Sequence, residues 1–221
     1  MEQKSKFLEY WHIFANGIMA GVFIGIAGTV YLAMPIPALG AFLFGFGLLT
    51  ILCNNFKLFT GAVGYLASQG RNTFAYLFTL LLIWGGNLVG CFAVGSAVRM
   101  SRVAEMSGIV AKAANLCTIK SADSLTSLLI LAFFCGILMY LAVDTFKRDL
   151  PPVIRMTNVF LCVMVFIISG FEHCIANMYY FSIANVWSIE TFMLILLMTL
   201  GNSIGGNFFA ALVKHSSKLL K

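Results

Sequence analysis

Three ionisable residues interrupt long apolar stretches of this sequence, namely Lys57, Glu172 and His173. An imidazole can donate a hydrogen bond to an anion or share a proton with a weak acid. Thr60 lies in the same interruption as Lys57, and its hydroxyl can do either without carrying charge. A buried histidine can also be only a hydrogen-bond partner within a helix bundle. The matching places of His173 and Thr60 in two interruptions favour a role in lining a pathway.

The charged neighbours leave several interpretations open. Glu172 is expected to point away from an anion path, to accept hydrogen bonds from loop backbone and so to support the loop. Lys57 could extend to a membrane interface, pair with a carboxylate, or attract anions. Lys120 precedes a later apolar run, where it could add positive potential to an outer mouth or act only as a topology signal.

Composition indicates the surroundings of these residues. Of the 221 residues, 61% are apolar and 10% are charged, whereas about 25% are charged in a soluble domain. The chain therefore belongs in a lipid bilayer. Its net charge of +6 comes mainly from residues at the ends of apolar runs, which favours membrane orientation over nucleic-acid binding. The six cysteines form no CxxC pair and lie mostly within apolar runs, so we expect small buried apolar residues and neither disulfides nor metal ligands. No cofactor is expected.

Six membrane crossings are predicted from the apolar runs, since each needs about 20 residues. Pro35 and Pro37 divide the first run into a helix near 13–34 and a second helix after it. That second crossing is interrupted near 53–61 and the fifth near 170–173, so both are predicted to be broken helices. The remaining crossings are expected at about 73–98, 124–146 and 190–213.

An internal repeat relates the two interruptions. The segment Gly86-Asn87-Leu88-Val89-Gly90 in the third crossing matches Gly201-Asn202-Ser203-Ile204-Gly205 in the sixth, 115 residues later. Because each copy has three crossings, the second copy must enter the membrane inverted. We therefore predict an all-α membrane protein with a 3+3 inverted repeat, at about 13–98 and 121–214, within one transmembrane channel domain over 1–221. Such repeats with broken helices indicate a transport path at the membrane midplane.

Basic residues outside the interruptions predict the orientation. With both termini inside, the inner segments hold nine Lys and Arg and the outer segments hold four, which favours cytoplasmic termini in a multi-pass protein of the cell (plasma or inner) membrane. The nine are Lys4, Lys6, Arg71, Lys147, Arg148, Arg155, Lys214, Lys218 and Lys221, and the four are Arg99, Arg102, Lys112 and Lys120.

Four motifs resemble those of the formate/nitrite transporter family, which includes hydrosulfide channels. They are Leu58-Phe59-Thr60-Gly61, the two glycine-asparagine segments above, and Ser169-Gly170-Phe171-Glu172-His173-Cys174-Ile175-Ala176-Asn177-Met178. The resemblance runs from about Gly17 to Val213. It implies an aquaporin-like protomer with its own pore, assembled as a homopentamer in the bilayer.

The resemblance also implies roles for individual residues. His173 and Thr60 would flank a central chamber, with Asn177 and Asn202 as polar neighbours. Helical spacing alone makes Phe44, Leu48 and Phe166 ordinary core or lipid-facing residues, but the resemblance makes them the two apolar constrictions. Lys120 would correspond to a vestibular lysine of the family.

Two departures leave the substrate open. Lys57 stands where the family often has an acidic residue, and Gly136 stands where many members have an asparagine. Formate, nitrite and hydrosulfide are all small conjugate bases of weak acids. The sequence predicts a channel or facilitator for such anions, with protonation near His173 and no enzymatic chemistry. A hydrosulfide-selective channel is the alternative, and a neutral-solute channel like an aquaporin or a membrane redox enzyme is less favoured.

Overall fold

A computed structural model describes residues 2–219, and in this range the chain is helical with no strands. Lys221 from the charge count lies outside the described residues, as do the side chains of Lys4 and Lys218. The predicted all-α fold is confirmed. The α-helices, in chain order, are α1 Glu2–Ala33, α2 Pro37–Cys53, α3 Phe59–Ala62, α4 Thr73–Arg99, α5 Ile109–Ala122, α6 Leu125–Lys147, α7 Pro152–Ile168, α8 Cys174–Ala184 and α9 Ile189–Leu219. Short 3₁₀ segments cover Val63–Ser68, Gly70–Asn72 and Arg102–Gly108.

Four of these helices are long and apolar enough to cross a membrane. They lie within Lys6–Ala33, Gly70–Arg99, Leu125–Lys147 and Ile189–Ser216. Between them run the shorter apolar helices α2 and α7, each followed after a break by a second short helix. The two predicted interruptions are therefore present, and each separates two helices.

Local chemistry determines where the short helices begin and end. Pro37 and Pro152 begin α2 and α7, where a missing N–H costs nothing because the first turn has no acceptor for it. Asn55 and Gly170 follow the ends of α2 and α7 with φ of 55° and 69°. These left-handed residues turn the chain out of each helix, and they are 115 residues apart.

Small residues bring the long helices together in both halves. α1 packs against α4, and α6 packs against α9, more extensively than any other helix pair. Gly21 lies against the backbone of Asn87, and Gly136 lies against the backbone of Asn202. Since 115 residues separate both members of these pairs, the same close approach occurs twice. Gly136, one of the two departures, thus serves helix packing.

Two segments differ from the sequence-based prediction. α1 begins at Glu2, well before 13, because no proline or glycine interrupts the chain before Gly17. The segment between the third and fourth crossings contains α5, which the hydropathy pattern did not predict. α5 packs against α8, and its Lys112 Nζ donates to Leu32 O at 2.9 Å.

Substituting Gly136 by Ala should destabilise the protein by ~1–3 kcal/mol, because the added Cβ overlaps the Asn202 carbonyl and α9 backbone cannot yield locally. The measurement is the apparent melting temperature of purified protein by size-exclusion after heating. Gly85→Ala is the matched control, since its nearest atom would lie 3.7 Å away. Equal melting temperatures for the two variants would contradict this packing.

Candidate functional site

The two breaks have the same backbone construction. Phe56 N donates to Ile51 O at 3.0 Å, and Phe171 N donates to Phe166 O at 2.9 Å. The breaks also attach to the first helix of their own half, since Lys57 N donates to Asn16 O and Glu172 N donates to Leu131 O. Both pairs of bonds keep the 115-residue offset. The chain therefore makes one irregular turn twice.

Asn87 and Asn202 hold these breaks in place. Asn87 Oδ1 accepts from Phe59 N at 2.9 Å, and its Nδ2 donates to Lys57 O and Gly17 O. Asn202 Oδ1 accepts from Cys174 N at 3.0 Å, and its Nδ2 donates to Glu172 O and Ala132 O. Neither asparagine is exposed. Each side-chain amide therefore ties a break to the first helix of its half.

His173 and Thr60 meet between the breaks. The His173 Nε2 and Thr60 Oγ1 atoms are 2.9 Å apart, and both side chains are buried. His173 also caps α8, because its Nδ1 accepts from Ala176 N at 3.0 Å. An Nδ1 that accepts a hydrogen bond carries no proton, so in a neutral ring Nε2 is the donor to Thr60. The Thr60 hydroxyl hydrogen is not used in this bond.

Their predicted correspondence in the repeat was wrong. The offset of 115 pairs His173 with Leu58, and Thr60 with Ile175. His173 and Thr60 come together through the fold and not as repeat mates. The centre is therefore asymmetric, with an imidazole from one break and a hydroxyl from the other.

Two cavities lie on either side of this centre. The smaller, of about 70 Å³, is lined by His173, Asn177, Lys120 and Phe166 among others. The larger, of about 380 Å³, is lined by Lys57, Leu58 and Ile51 among others. Nine of the eleven residues lining the smaller cavity have a repeat mate lining the larger one: Tyr31 with Phe146, Phe166 with Ile51, Ile167 with Leu52, Gly170 with Asn55, Phe171 with Phe56, His173 with Leu58, Ala176 with Gly61, Asn177 with Ala62 and Tyr180 with Tyr65. The two cavities, which we call the smaller and the larger vestibule, are therefore lined largely by equivalent residues of the two halves.

Apolar side chains pack around the centre. Phe166 stacks on the His173 ring with centroids 5.4 Å apart, and Phe44 meets Phe166 edge-on at 5.9 Å. Leu48 is buried one turn after Phe44, on the face of α2 that continues to Leu52 in the larger vestibule. Ile51 and Leu58 were not predicted as members of this site, although the 115-residue offset from Phe166 and His173 identifies both.

Glu172 has different partners from those expected. Its carboxylate accepts from Lys120 Nζ at 2.6 and 2.7 Å and from Asn177 Nδ2 at 2.7 Å. The expectation of loop backbone as the donor is therefore wrong, because α5 and α8 supply charged and amide donors. Glu172 is 4% exposed. Lys120 lines the smaller vestibule with its charge already paired.

Lys57 is exposed in the larger vestibule. Among residues 2–219, no ion pair with a carboxylate involves it, which removes one of the three interpretations. Lys147 and Arg155 line the same cavity. The two vestibules therefore differ in charge, although they share their construction.

No metal-binding cluster occurs in the described part of the chain, where no three His, Cys, Asp or Glu side chains converge. The cysteines at 53, 91, 117, 135, 162 and 174 are all free, and Cys91, Cys117, Cys135, Cys162 and Cys174 are buried.

Comparison with known proteins gives one family. The family model described as "Formate/nitrite transporter" matches residues 1–216. The formate channel FocB of Escherichia coli is 28% identical over 220 residues, covering 92% of this chain and 76% of FocB. A formate-nitrite transporter of Plasmodium malariae is 25% identical over 226 residues, covering 90% of this chain and 72% of that protein.

Solved structures share the fold. A pentameric formate channel with formate bound has a TM-score of 0.83 at 24% identity, covering 96% of this chain and 98% of that chain. An ion channel of the same family has a TM-score of 0.80 at 20% identity, covering 94% of this chain and 90% of that chain.

Replacing Glu172 by Gln should destabilise the protein, because it leaves the Lys120 ammonium without its carboxylate. Breaking a buried pair costs ~3–5 kcal/mol, and we expect ~2–3 kcal/mol here because the Lys120 side chain is 13% exposed. The double substitution Glu172→Gln with Lys120→Met should recover most of this loss. Apparent melting temperatures of the purified variants measure both effects.

Arg148→Gln is the control for this pair. It removes the partner of Asp144 at a site where Arg148 is 48% exposed, so it should cost less than about 1 kcal/mol. A Glu172→Gln variant as stable as Arg148→Gln would contradict the assigned ion pair.

Proposed function

Because this chain belongs to the formate/nitrite transporter family, we propose that it conducts small monovalent anions of weak acids, such as formate, nitrite or hydrosulfide, across a membrane. The observation that carries the proposal is the 2.9 Å contact between His173 Nε2 and Thr60 Oγ1, between two vestibules. Members of the family are channels and transporters, not enzymes. The named activities of FocB and of the Plasmodium relative support the substrate class.

The anion first reaches a vestibule. On the larger side Lys57, with Lys147 and Arg155 in the same cavity, raises the local anion concentration. On the smaller side Lys120 is paired with Glu172, so its attraction is largely cancelled. The larger vestibule is therefore the stronger attractor.

At the centre His173 and Thr60 provide the polar contacts. When the Thr60 side chain rotates away from the imidazole, Nε2–H of His173 and the Thr60 hydroxyl can both donate to one anion while the cap on α8 is kept. Protonating Nδ1 would break the cap on α8. A neutral His173 that donates a hydrogen bond, with the neutralising proton coming from bulk water, therefore fits the site better than direct proton transfer from the ring. Asn177 lines the smaller vestibule beside it, while Asn202 holds the break.

The apolar constrictions make protonation part of permeation. Phe44 and Phe166 form one constriction, and Leu48 with Leu58 forms the other. A neutral acid crosses such a ring far more readily than its anion, because the ring offers no partner to the charge. Net movement of the anion is then coupled to a proton.

The assembly and placement follow the same reasoning. The repeated hydrogen bonds and vestibules support two related halves in one channel domain, and the second half is inverted because each half has three crossings. The pentameric structural neighbour supports a homopentamer in the bilayer. The balance of basic residues supports cytoplasmic termini in the cell membrane.

Lys57 keeps hydrosulfide selectivity as a second candidate. It replaces an acid expected before Leu58-Phe59-Thr60-Gly61, and it lies exposed in the larger vestibule. A cation at that place alters the field that the approaching anion meets.

Thr60→Val should reduce formate flux into proteoliposomes by about ten-fold or more, because it removes a hydrogen bond to a charged group without changing side-chain shape. Thr60→Ser keeps the hydroxyl and should retain most of the flux. A pH-sensitive dye inside the liposomes measures the accompanying proton. Equal flux in the Val and Ser variants would exclude Thr60 from the pathway.

Flux through the wild-type protein should increase as the pH falls toward the range where the weak acid is protonated. The test compares formate, nitrite, hydrosulfide, acetate and lactate across a pH series, with empty liposomes as the control. A preference for hydrosulfide over formate at every pH would favour the second candidate. Water flux without any anion flux would contradict both.

A further inference from the structure

The larger vestibule contains a cluster of cations, which we name the basic vestibule site: Lys57, Lys147 and Arg155. They come from three separate places in the chain, the first break, the end of α6 and the first turn of α7. Lys57 and Lys147 are exposed and Arg155 is half-buried. Their shared cavity has about 380 Å³.

The nearby carboxylate is already engaged. Asp144 accepts from Arg148 Nε at 3.0 Å and from Arg148 Nη2 at 2.6 Å, and the hydroxyls of Tyr65 and Tyr140 each donate to it at 3.3 Å. Lys147 Nζ instead lies 4.3 Å from the centre of the Tyr65 ring. The positive charge of the basic vestibule site is therefore only weakly neutralised by the protein.

Arg155 adds an unused donor. Its Nε is buried and has no hydrogen-bond partner, and its guanidinium carbon lies 5.7 Å from the Phe146 ring centre. A planar guanidinium donates two parallel hydrogen bonds to a pair of oxygens on one anion. Buried donors without partners are rare in native proteins. The donor set fits an oxyanion with several equivalent oxygens.

We propose that the basic vestibule site binds a doubly charged tetrahedral oxyanion of the sulfate class and that this anion blocks the channel from that side. A dianion gains twice the attraction of a monovalent anion from the same cations. It cannot proceed past Ile51 and Leu58, because an apolar ring gives two charges no compensation. The smaller vestibule offers no such site, since Glu172 neutralises Lys120. The block rests on the proposed channel function, whereas the binding does not.

Binding is tested with radiolabelled sulfate and detergent-purified protein in a scintillation proximity assay at fixed ionic strength. We expect one saturable site per chain, and about ten-fold weaker binding in Lys147→Gln and in Arg155→Gln, since each loses a charged hydrogen-bond donor. Arg71→Gln is the matched control, because Arg71 is exposed and does not line the cavity. It should bind sulfate like the wild type.

Three results would overturn the proposal. They are no saturable sulfate binding to the wild type, equal binding by all the variants, and displacement of sulfate by the singly charged lipid phosphatidylglycerol at equal concentration. The last result would assign the site to a lipid headgroup.

The block is tested separately in proteoliposomes that take up formate. Sulfate present on one side only should inhibit uptake when it faces the larger vestibule. Arg155→Gln should relieve the inhibition when the uptake of each protein is expressed relative to its own uptake without sulfate, so that any change in basal uptake cancels. Wild-type formate uptake that sulfate leaves unchanged from either side would overturn the block. Absence of formate uptake would instead contradict the proposed function, and the binding assay would still decide the site.

Discussion

Backbone polar groups inside a bilayer must find partners within the protein, and the two breaks of this chain depend on that constraint. Asn87 and Asn202 satisfy it by the same three hydrogen bonds each. His173 is the N-cap of α8, and Thr60 lies in the first turn of α3. The position of the site therefore depends on the two asparagines.

The two breaks have the same hydrogen bonds but contain side chains of opposite charge. Lys57 and Glu172 occupy the same place in the two copies, with opposite charge. Glu172 is neutralised by Lys120 from α5, whereas no Asp or Glu is among the residues that line the larger vestibule. The smaller vestibule is accordingly nearly neutral, whereas the larger one is basic. The two breaks thus share their hydrogen bonds, whereas the charges of the two vestibules differ.

The apolar runs and the positions of the prolines and the repeated glycine-asparagine segments made the fold predictable. Pro35 and Pro37 marked the first turn between crossings, and the glycine-asparagine segments located the repeat. The elements that were missed form through tertiary contacts. α5 is only moderately apolar, so hydropathy does not distinguish it from a loop. The ion pair of Lys120 with Glu172 joins residues 52 positions apart and leaves no local pattern.

The residues of the site could be predicted from the sequence, but the contact between His173 and Thr60 could not. Sequence offset alone gives Leu58 as the mate of His173, and only the fold brings Thr60 to the imidazole. The tautomer of His173 likewise depends on the Ala176 backbone N–H, which becomes available because α8 begins there. The sequence therefore identifies His173 as a candidate, whereas packing against Thr60 and the cap on α8 determine which ring nitrogen carries the proton.

Nitrogen-15 NMR of labelled histidine in proteoliposomes measures which ring nitrogen of His173 carries the proton, and His173→Gln identifies the His173 signals among those of His12 and His215. We expect a neutral ring with the proton on Nε2, and a shift of the Nε2 signal on adding formate while the Nδ1 signal is unchanged. A ring protonated on Nδ1, or an Nε2 signal that formate does not move, would contradict this expectation.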